Sequence, residues 1–156
     1  MALPQGDLGL LDEDLARELL GSPTLARLAY VWSDGTPRVV PTWFHWTGSE
    51  VVFGARVNSH KTIALEKNPA VAITIDRPDP PSVLLIRGKA VISVEEGVLS
   101  EMEEAAGRYL GPESGAGWVS GMKAQVEQMA RISVRPTWVG LLDFVTRMPA
   151  AMGGIL

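Results

Sequence analysis

Apolar and polar residues alternate along much of this chain with a period of two, in runs separated by short turn signals. That pattern predicts strands joined by tight turns. The first run is Leu25 to Trp32, where Leu28, Tyr30 and Trp32 alternate with Ala29 and Val31. Ser33-Asp34-Gly35-Thr36 then predicts a hairpin, because Asp-Gly suits the primed turns. The return strand is expected over Arg38 to Trp46. Pro41 lies inside it, lacks the ladder donor, and so marks an edge position or a bulge. Thr47-Gly48-Ser49 predicts a second turn, into Val51-Val52-Phe53 and the small pair Gly54-Ala55. Three strands of a meander are expected here. Further strands are predicted over Ala70 to Ile75 and, after the Pro-rich turn Arg77 to Pro81, over Ser82 to Val94. Gly88 within that long run predicts a bulge or a close backbone approach. Arg131 to Arg135 and Val139 to Phe144 predict the last strands, separated by Pro136.

Elsewhere the spacing shifts to that of a helix. Leu11, Leu15 and Leu19 make one stripe, on a helix capped by Asp12 and ended by Gly21-Ser22-Pro23. Arg56-Val57-Asn58-Ser59-His60-Lys61-Thr62 reads as a basic loop leading into a short helix that runs to about Lys67. Ser59 or Asn58 suits its N-cap. Asn68 suits a left-handed C-terminal position, and Pro69 cannot continue the helix. Glu95 to Leu110 predicts the longest helix, with Val98, Met102, Ala105 and Tyr109 inward and Gly111-Pro112 as its stop. Glu113 to Gly117 reads as a loop. Trp118, Met122, Val126 and Met129 then mark a second amphipathic helix, a stripe most simply read as core. Residues 1–10 are expected to be a flexible lead-in and 146–156 an irregular tail. The elements predict a mainly β (α+β) single domain over 1–156: a largely antiparallel Greek-key barrel with flanking helices and a helical insertion at 95–130.

Composition narrows the chemistry. The 156-residue chain has no cysteine, which excludes disulfides, zinc ribbons, iron–sulfur clusters and thiol nucleophiles. A net charge of −4 disfavours a general nucleic-acid binder. No apolar run reaches the length of a membrane span. The acidic start MALPQGDLGLLDED lacks the features of a signal peptide, so a cytoplasmic protein is expected. The only histidines are His45 and His60, which rules out a metal site built on several histidines. The acidic clusters Asp12-Glu13-Asp14 and Glu101-Glu103-Glu104 read as solvated helix faces.

The catalytic motifs that can be sought in a sequence are missing. Gly115-Ala116-Gly117-Trp118-Val119-Ser120-Gly121 fails as a dinucleotide fingerprint, because its third glycine is one place late and no strand precedes it. There is no Walker A string, no H-E-x-x-H, no G-x-S-x-G elbow and no acid/base dyad. What stands out is the corner before the short helix. Free N–H groups and the helix dipole face it, Arg56 and Lys61 add positive charge, and Ser59 and Thr62 add hydroxyls. His60 is the better placed of the two histidines. This is either an ordinary capped helix or a small phosphate cradle. The lack of other apparatus favours a protein whose cofactor carries the chemistry.

Several pieces in order carry a family resemblance: Leu28-Ala29-Tyr30-Val31, Asp34-Gly35-Thr36-Pro37, Val40-Pro41-Thr42-Trp43-Phe44, Phe53-Gly54-Ala55, His60-Lys61-Thr62, Asn68-Pro69 and Arg87-Gly88-Lys89-Ala90. Together they resemble the pyridoxamine 5'-phosphate oxidase-like split β-barrel proteins, and within them the flavin- and deazaflavin-dependent oxidoreductases. The resemblance implies a six-stranded split barrel, a homodimer with cofactor at the interface, and either FMN or a deazaflavin coenzyme. It implies that Ser59, His60, Lys61 and Thr62 hold the phosphate. It also implies that the strand containing Thr42 and Trp43, and the strand end Gly54-Ala55-Arg56, face the ring. The implied activity is hydride transfer to a small conjugated or aromatic substrate. The alternative is non-enzymatic binding of a flavin, haem or other tetrapyrrole. The chain departs from the pattern in two places. Its C-terminus lacks the Arg- and Trp-rich substrate motif of the oxidase that makes pyridoxal phosphate. Ile63 and Ala64 stand where many relatives carry Arg and Asn.

Overall fold

The computed structural model describes residues 2–149. It is built on seven antiparallel strands: β1 (Ala26–Val31), β2 (Pro37–Thr42), β3 (His45–Trp46), β4 (Val51–Ala55), β5 (Ala70–Pro78), β6 (Pro81–Glu96) and β7 (Gln128–Leu142). They form one sheet in the order β2-β1-β5-β6-β7-β4-β3. Four α-helices accompany them: α1 (Asp14–Gly21), α2 (His60–Lys67), α3 (Ser100–Leu110) and α4 (Pro112–Gln125).

The sheet's two edge strands, β2 and β3, are consecutive in the chain. Only Trp43 and Phe44 separate them, and such a span reaches about 11 Å at most. The sheet must therefore curl until its edges nearly meet, although no ladder pairs them. This corrects two expectations. The strand predicted from Arg38 to Trp46 is two strands at opposite edges, and the meander breaks at Trp43–Phe44. The described residues hold seven strands, where the family resemblance implies six, and hydrogen bonds do not close them into a barrel. Phe44 is fully buried and plugs the gap. Pro41 sits on an edge strand, where its missing N–H costs no ladder bond.

The period-two pattern fills the inside of this curl. Leu28, Phe53, Ile73, Ile75, Leu84, Ile86, Ile132, Val139 and Leu141 join one core. β7 runs unbroken through Pro136. The register shifts there, because Arg87 pairs with Trp138 while Gly88 pairs with Pro136. One residue of β7, Thr137, is thus the extra one. Gly88 is the close approach that the sequence predicts: a Cβ there would lie 2.6 Å from the Arg135 carbonyl oxygen.

The chain ends differ from expectation. Of the expected flexible lead-in, the described residues 2–10 are tied down, since Gln5 and Gly6 bond to β7. Gly6 N–H donates to the Val139 carbonyl at 2.7 Å. The Gln5 amide donates to the Leu141 carbonyl and accepts from its N–H, both at 2.8 Å. Asp12 does not cap α1, whose N-cap is Glu13; Asp12 instead ends a 3-10 helix over Leu8–Asp12 that Asp7 caps and that buries Leu10. Of the expected irregular tail, Thr146 closes a turn on Asp143. Residues 150–156 lie outside the described residues. In the helical insertion, β6 continues to Glu96 before α3 begins. α4 starts at Pro112, so Glu113 to Gly117 is helix rather than loop. Pro at N1 and Gly111 at φ +86° explain the sharp turn between α3 and α4. Met129 belongs to β7, not to that helix. No described helix is long and apolar enough to cross a membrane.

Candidate functional site

Ser59 is the N-cap of α2. Its hydroxyl accepts from the Thr62 N–H at 3.3 Å. The chain enters that cap through Asn58, which takes the left-handed conformation at φ +57°. Asn68, expected to be left-handed, is extended instead at φ −135°. The Thr62 hydroxyl donates to the Ser59 carbonyl at 2.8 Å, and Thr62 is 2% exposed. Thr62 is thus spent inside the cap. His60 is exposed and packs edge-on against Trp32, with ring centroids 5.5 Å apart.

Lys61 is different. It is half-buried, and it lines a cavity of about 340 Å³ together with Tyr30, Val40, Pro41, Thr42, Ala55, Arg56 and Ser59. Burial alone pushes its ammonium pKa below the ordinary lysine value, with no carboxylate to offset the loss of water. A cation held this way favours an anion as partner. Arg56 lines the same cavity, whereas Arg38 sits over Trp32 and by Asp34, and Arg87 lies over Trp138 at 3.9 Å.

Beside this cradle lies a second cavity, of about 400 Å³. Its strand side is Thr42, Trp43, Gly54, Ala55 and Arg56. Its helical side is Met102, Trp118, Met122 and Val126, with Gln128 and Met129 at the start of β7. The two cavities share Thr42, Ala55 and Arg56 as a common wall. Gly54 is required under the methionines, because a Cβ there would meet Met102 Cγ at 2.7 Å and Met129 Cε at 2.8 Å. Trp43 is fixed by a parallel stack on Tyr109, with centroids 5.0 Å apart and planes 8° apart. The segment carrying Trp43 is itself pinned by Arg108, whose guanidinium donates to the carbonyls of Ser22 (3.0 Å) and Phe44.

The structure therefore brings together seven of the nine residues proposed from sequence. Thr42, Trp43, Gly54, Ala55, Arg56, Ser59 and Lys61 line one cavity or both, whereas His60 and Thr62 line neither. The residues missed are on the helical side. The Trp118–Met122–Val126 spacing was visible in the sequence, but a stripe at that spacing is normally core. Here Trp118 and Val126 pack at the edge of a small cluster around Leu99, Met102, Ala105 and Met129, and the stripe also lines the cavity. Among the acidic clusters, Glu101 is not a free solvated side chain. It accepts from Arg131 at 2.8 Å, while Arg131 also reaches Glu50 at 3.5 Å. Burial pushes the Glu101 carboxyl up, but the Arg131 hydrogen bond and charge outweigh it and hold its pKa low.

A curled antiparallel sheet with a half-buried lysine at a helix N-terminus beside an apolar cavity is the frame of the site. The chain belongs to the pyridoxamine 5'-phosphate oxidase family, whose model matches residues 12–140. Solved structures agree with that. An F420 reductase is 28% identical, with TM-score 0.59, covering 80% of this chain and 94% of that one. A putative pyridoxamine 5'-phosphate oxidase from Listeria innocua is 20% identical, with TM-score 0.58, covering 86% and 98%. An FMN-binding protein related to pyridoxamine 5'-phosphate oxidase, from Nostoc punctiforme, is 14% identical, with TM-score 0.54, covering 78% and 75%. At the latter two identities the likeness concerns the fold alone. No curated protein matches the chain in sequence.

Proposed function

We propose that this protein is an oxidoreductase that binds a deazaflavin or FMN and passes a hydride to a small conjugated or aromatic substrate. The observation that carries the reading is Lys61: a half-buried cation without a carboxylate, at a capped helix N-terminus, one wall away from an apolar cavity. When bound, the cofactor would supply the hydride chemistry. Lys61 and the free N–H groups of α2 would hold its phosphate. Thr42 and Ala55, shared by both cavities, would present backbone groups to its ring edge. The curled sheet would be the split barrel of the family, and a homodimer would cover the apolar positions Val39, Val91 and Val94, which are 63%, 66% and 52% exposed.

A second reading, flavin or tetrapyrrole binding without turnover, is favoured by one observation. The large cavity carries no carboxylate or histidine to act as an acid or base. Turnover with reduced cofactor and a panel of acceptors separates the two. The cradle itself is tested by titrating FMN and a deazaflavin into the wild type and Lys61→Ala. We expect Lys61→Ala to weaken binding of the preferred cofactor by roughly thirtyfold, about 2 kcal/mol, for loss of a charge-assisted contact. Equal affinity of both proteins for both cofactors would remove Lys61 from the site.

A further inference from the structure

The apolar cavity has an asymmetric construction. On its strand side Trp43 is held by the stack on Tyr109, and Gly54 lies directly beneath Met102 and Met129. Its other side is α4, which packs on α3 and sets Trp118 against Trp43, with ring centroids 5.1 Å apart, but leaves most of its residues exposed. Of the fourteen residues of α4 only Gly115 is buried. That glycine rests on α3, where a Cβ would come within 2.8 Å of the Ala106 carbonyl oxygen. Further along, the Lys123–Glu103 ion pair at 2.8 Å ties α4 to α3. Between these anchors α4 turns Trp118 and Met122 toward the cavity, and Val126, the residue that caps its C-terminus, adds to the same wall.

The chemistry of the lining is equally specific. Three methionines and two tryptophans dominate it, Arg56 is its only ionisable residue, and no carboxylate lines it. Methionine is unbranched and polarizable and repacks around varied shapes, which is why it recurs at permissive binding surfaces. Tryptophan offers flat apolar faces. A volume of about 400 Å³ falls within the range of small-molecule sites. The concavity is formed by one chain's own strands and helices, which suits a compact guest better than the flat face of a second copy.

From this we infer that the Trp43–Met102–Trp118–Met122–Val126–Met129 cavity is a substrate subsite for uncharged or anionic aromatic molecules of varied size, that it discriminates against cations, and that α4 is its adaptable wall. The inference deepens the functional reading, and rests on it in taking the guest as substrate. The occupancy itself is read without any cofactor. Cations are disfavoured because an ammonium would be stripped of water beside Arg56 with no carboxylate to meet it.

The test is a calorimetric titration of the full-length protein, free of added cofactor, near neutral pH, with three guests of one body: naphthol, naphthoate and naphthylmethylammonium. Naphthol and naphthoate are expected to saturate at one site per chain, and the ammonium to bind at least about tenfold more weakly. Met122→Glu is expected to weaken naphthol at least about tenfold and to abolish the bias against the cation. Met122→Leu should stay within about threefold of wild type. Lys61→Ala should leave naphthol affinity unchanged, so failure of the phosphate cradle and failure of this subsite give different results. No saturable naphthol binding, equal affinity for all three guests in the wild type, or competition of naphthol by self-association of the protein would each overturn the inference. The wild-type series decides the matter even if Met122→Glu does not fold.

Discussion

At the scale of single residues, Lys61 carries the most testable physics. Its pKa in the folded chain lies below the ordinary 10.5, because burial penalises the charged form. Between that lowered value and 10.5 the unfolded chain binds more protons than the folded one. Stability therefore rises with pH across that window. Lys61→Met should flatten the rise without lowering the melting temperature near neutrality, which thermal melts across an alkaline pH series would show. A bound phosphate group reverses the penalty and lifts the pKa back, so ligand affinity should fall as pH climbs through the same window. The sequence makes Lys61, Ser59 and Arg56 legible as a cluster, since all three lie within one short loop. It cannot show that Thr62 spends its hydroxyl on the cap, or that His60 turns out to Trp32. Both depend on side-chain directions that only the folded helix sets.

At the scale of elements, α4 is held chiefly against α3 and buries only Gly115 of its own residues. Its attachment depends on the absence of a side chain at Gly115, because the atoms facing that position are the Ala106 carbonyl and the Gly107 Cα, at 2.8 and 2.9 Å. Backbone cannot step aside as a flexible side chain can. Gly115→Val is expected to cost about 1–3 kcal/mol and to peel α4 from α3. Hydrogen exchange would report this as faster exchange in α4 amides with β5 and β6 unchanged. Unaltered α4 protection would show that the contact is dispensable. The sequence pattern conceals the start of this helix. Ser114, Gly115, Gly117, Ser120 and Gly121 give the segment poor intrinsic helix propensity, so its first half reads as loop. The helix forms because Pro112 starts it and α3 supports it.

At the scale of the whole molecule, the segments around Leu3 and Arg147, near the two limits of the described residues, are stapled together. The Asp143 carboxylate accepts from the backbone N–H groups of Val145, Thr146 and Arg147 at 2.9, 2.8 and 2.6 Å, and from the Thr146 hydroxyl. The turn it holds directs Arg147 to the Leu3 carbonyl at 2.9 Å and to Glu13 at 3.0 Å. Burial pushes the Asp143 carboxyl up, but the Thr146 hydroxyl and these backbone donors outweigh it and set its pKa at about 2. A carboxylate with a lowered folded pKa stabilises the protein above its unfolded value of 3.8 and loses that contribution as pH falls toward about 2. Asp143→Asn should cost about 1 kcal/mol at neutral pH and remove that part of the acid dependence. Acid titrations of wild type and variant, followed by circular dichroism, would show parallel curves if the turn bears no such load.

What the sequence determines by itself is local. Period-two runs select the strands and their inward faces, Asp34-Gly35 selects a turn, Ser59 selects a cap, and Gly88 announces a close approach. Each rests on forces acting within a few residues. What only the tertiary structure decides is which strands become neighbours and what a helix face meets. Trp43 and Phe44 look like the middle of one strand, because nothing local distinguishes a strand that continues from one whose chain crosses to the opposite edge of a curled sheet. The Trp118–Met122–Val126 stripe looks like core, because its spacing records only that an apolar surface lies opposite. Whether that surface is filled by protein or left as a cavity depends on residues more than sixty positions away in the chain, at Trp43 and Gly54.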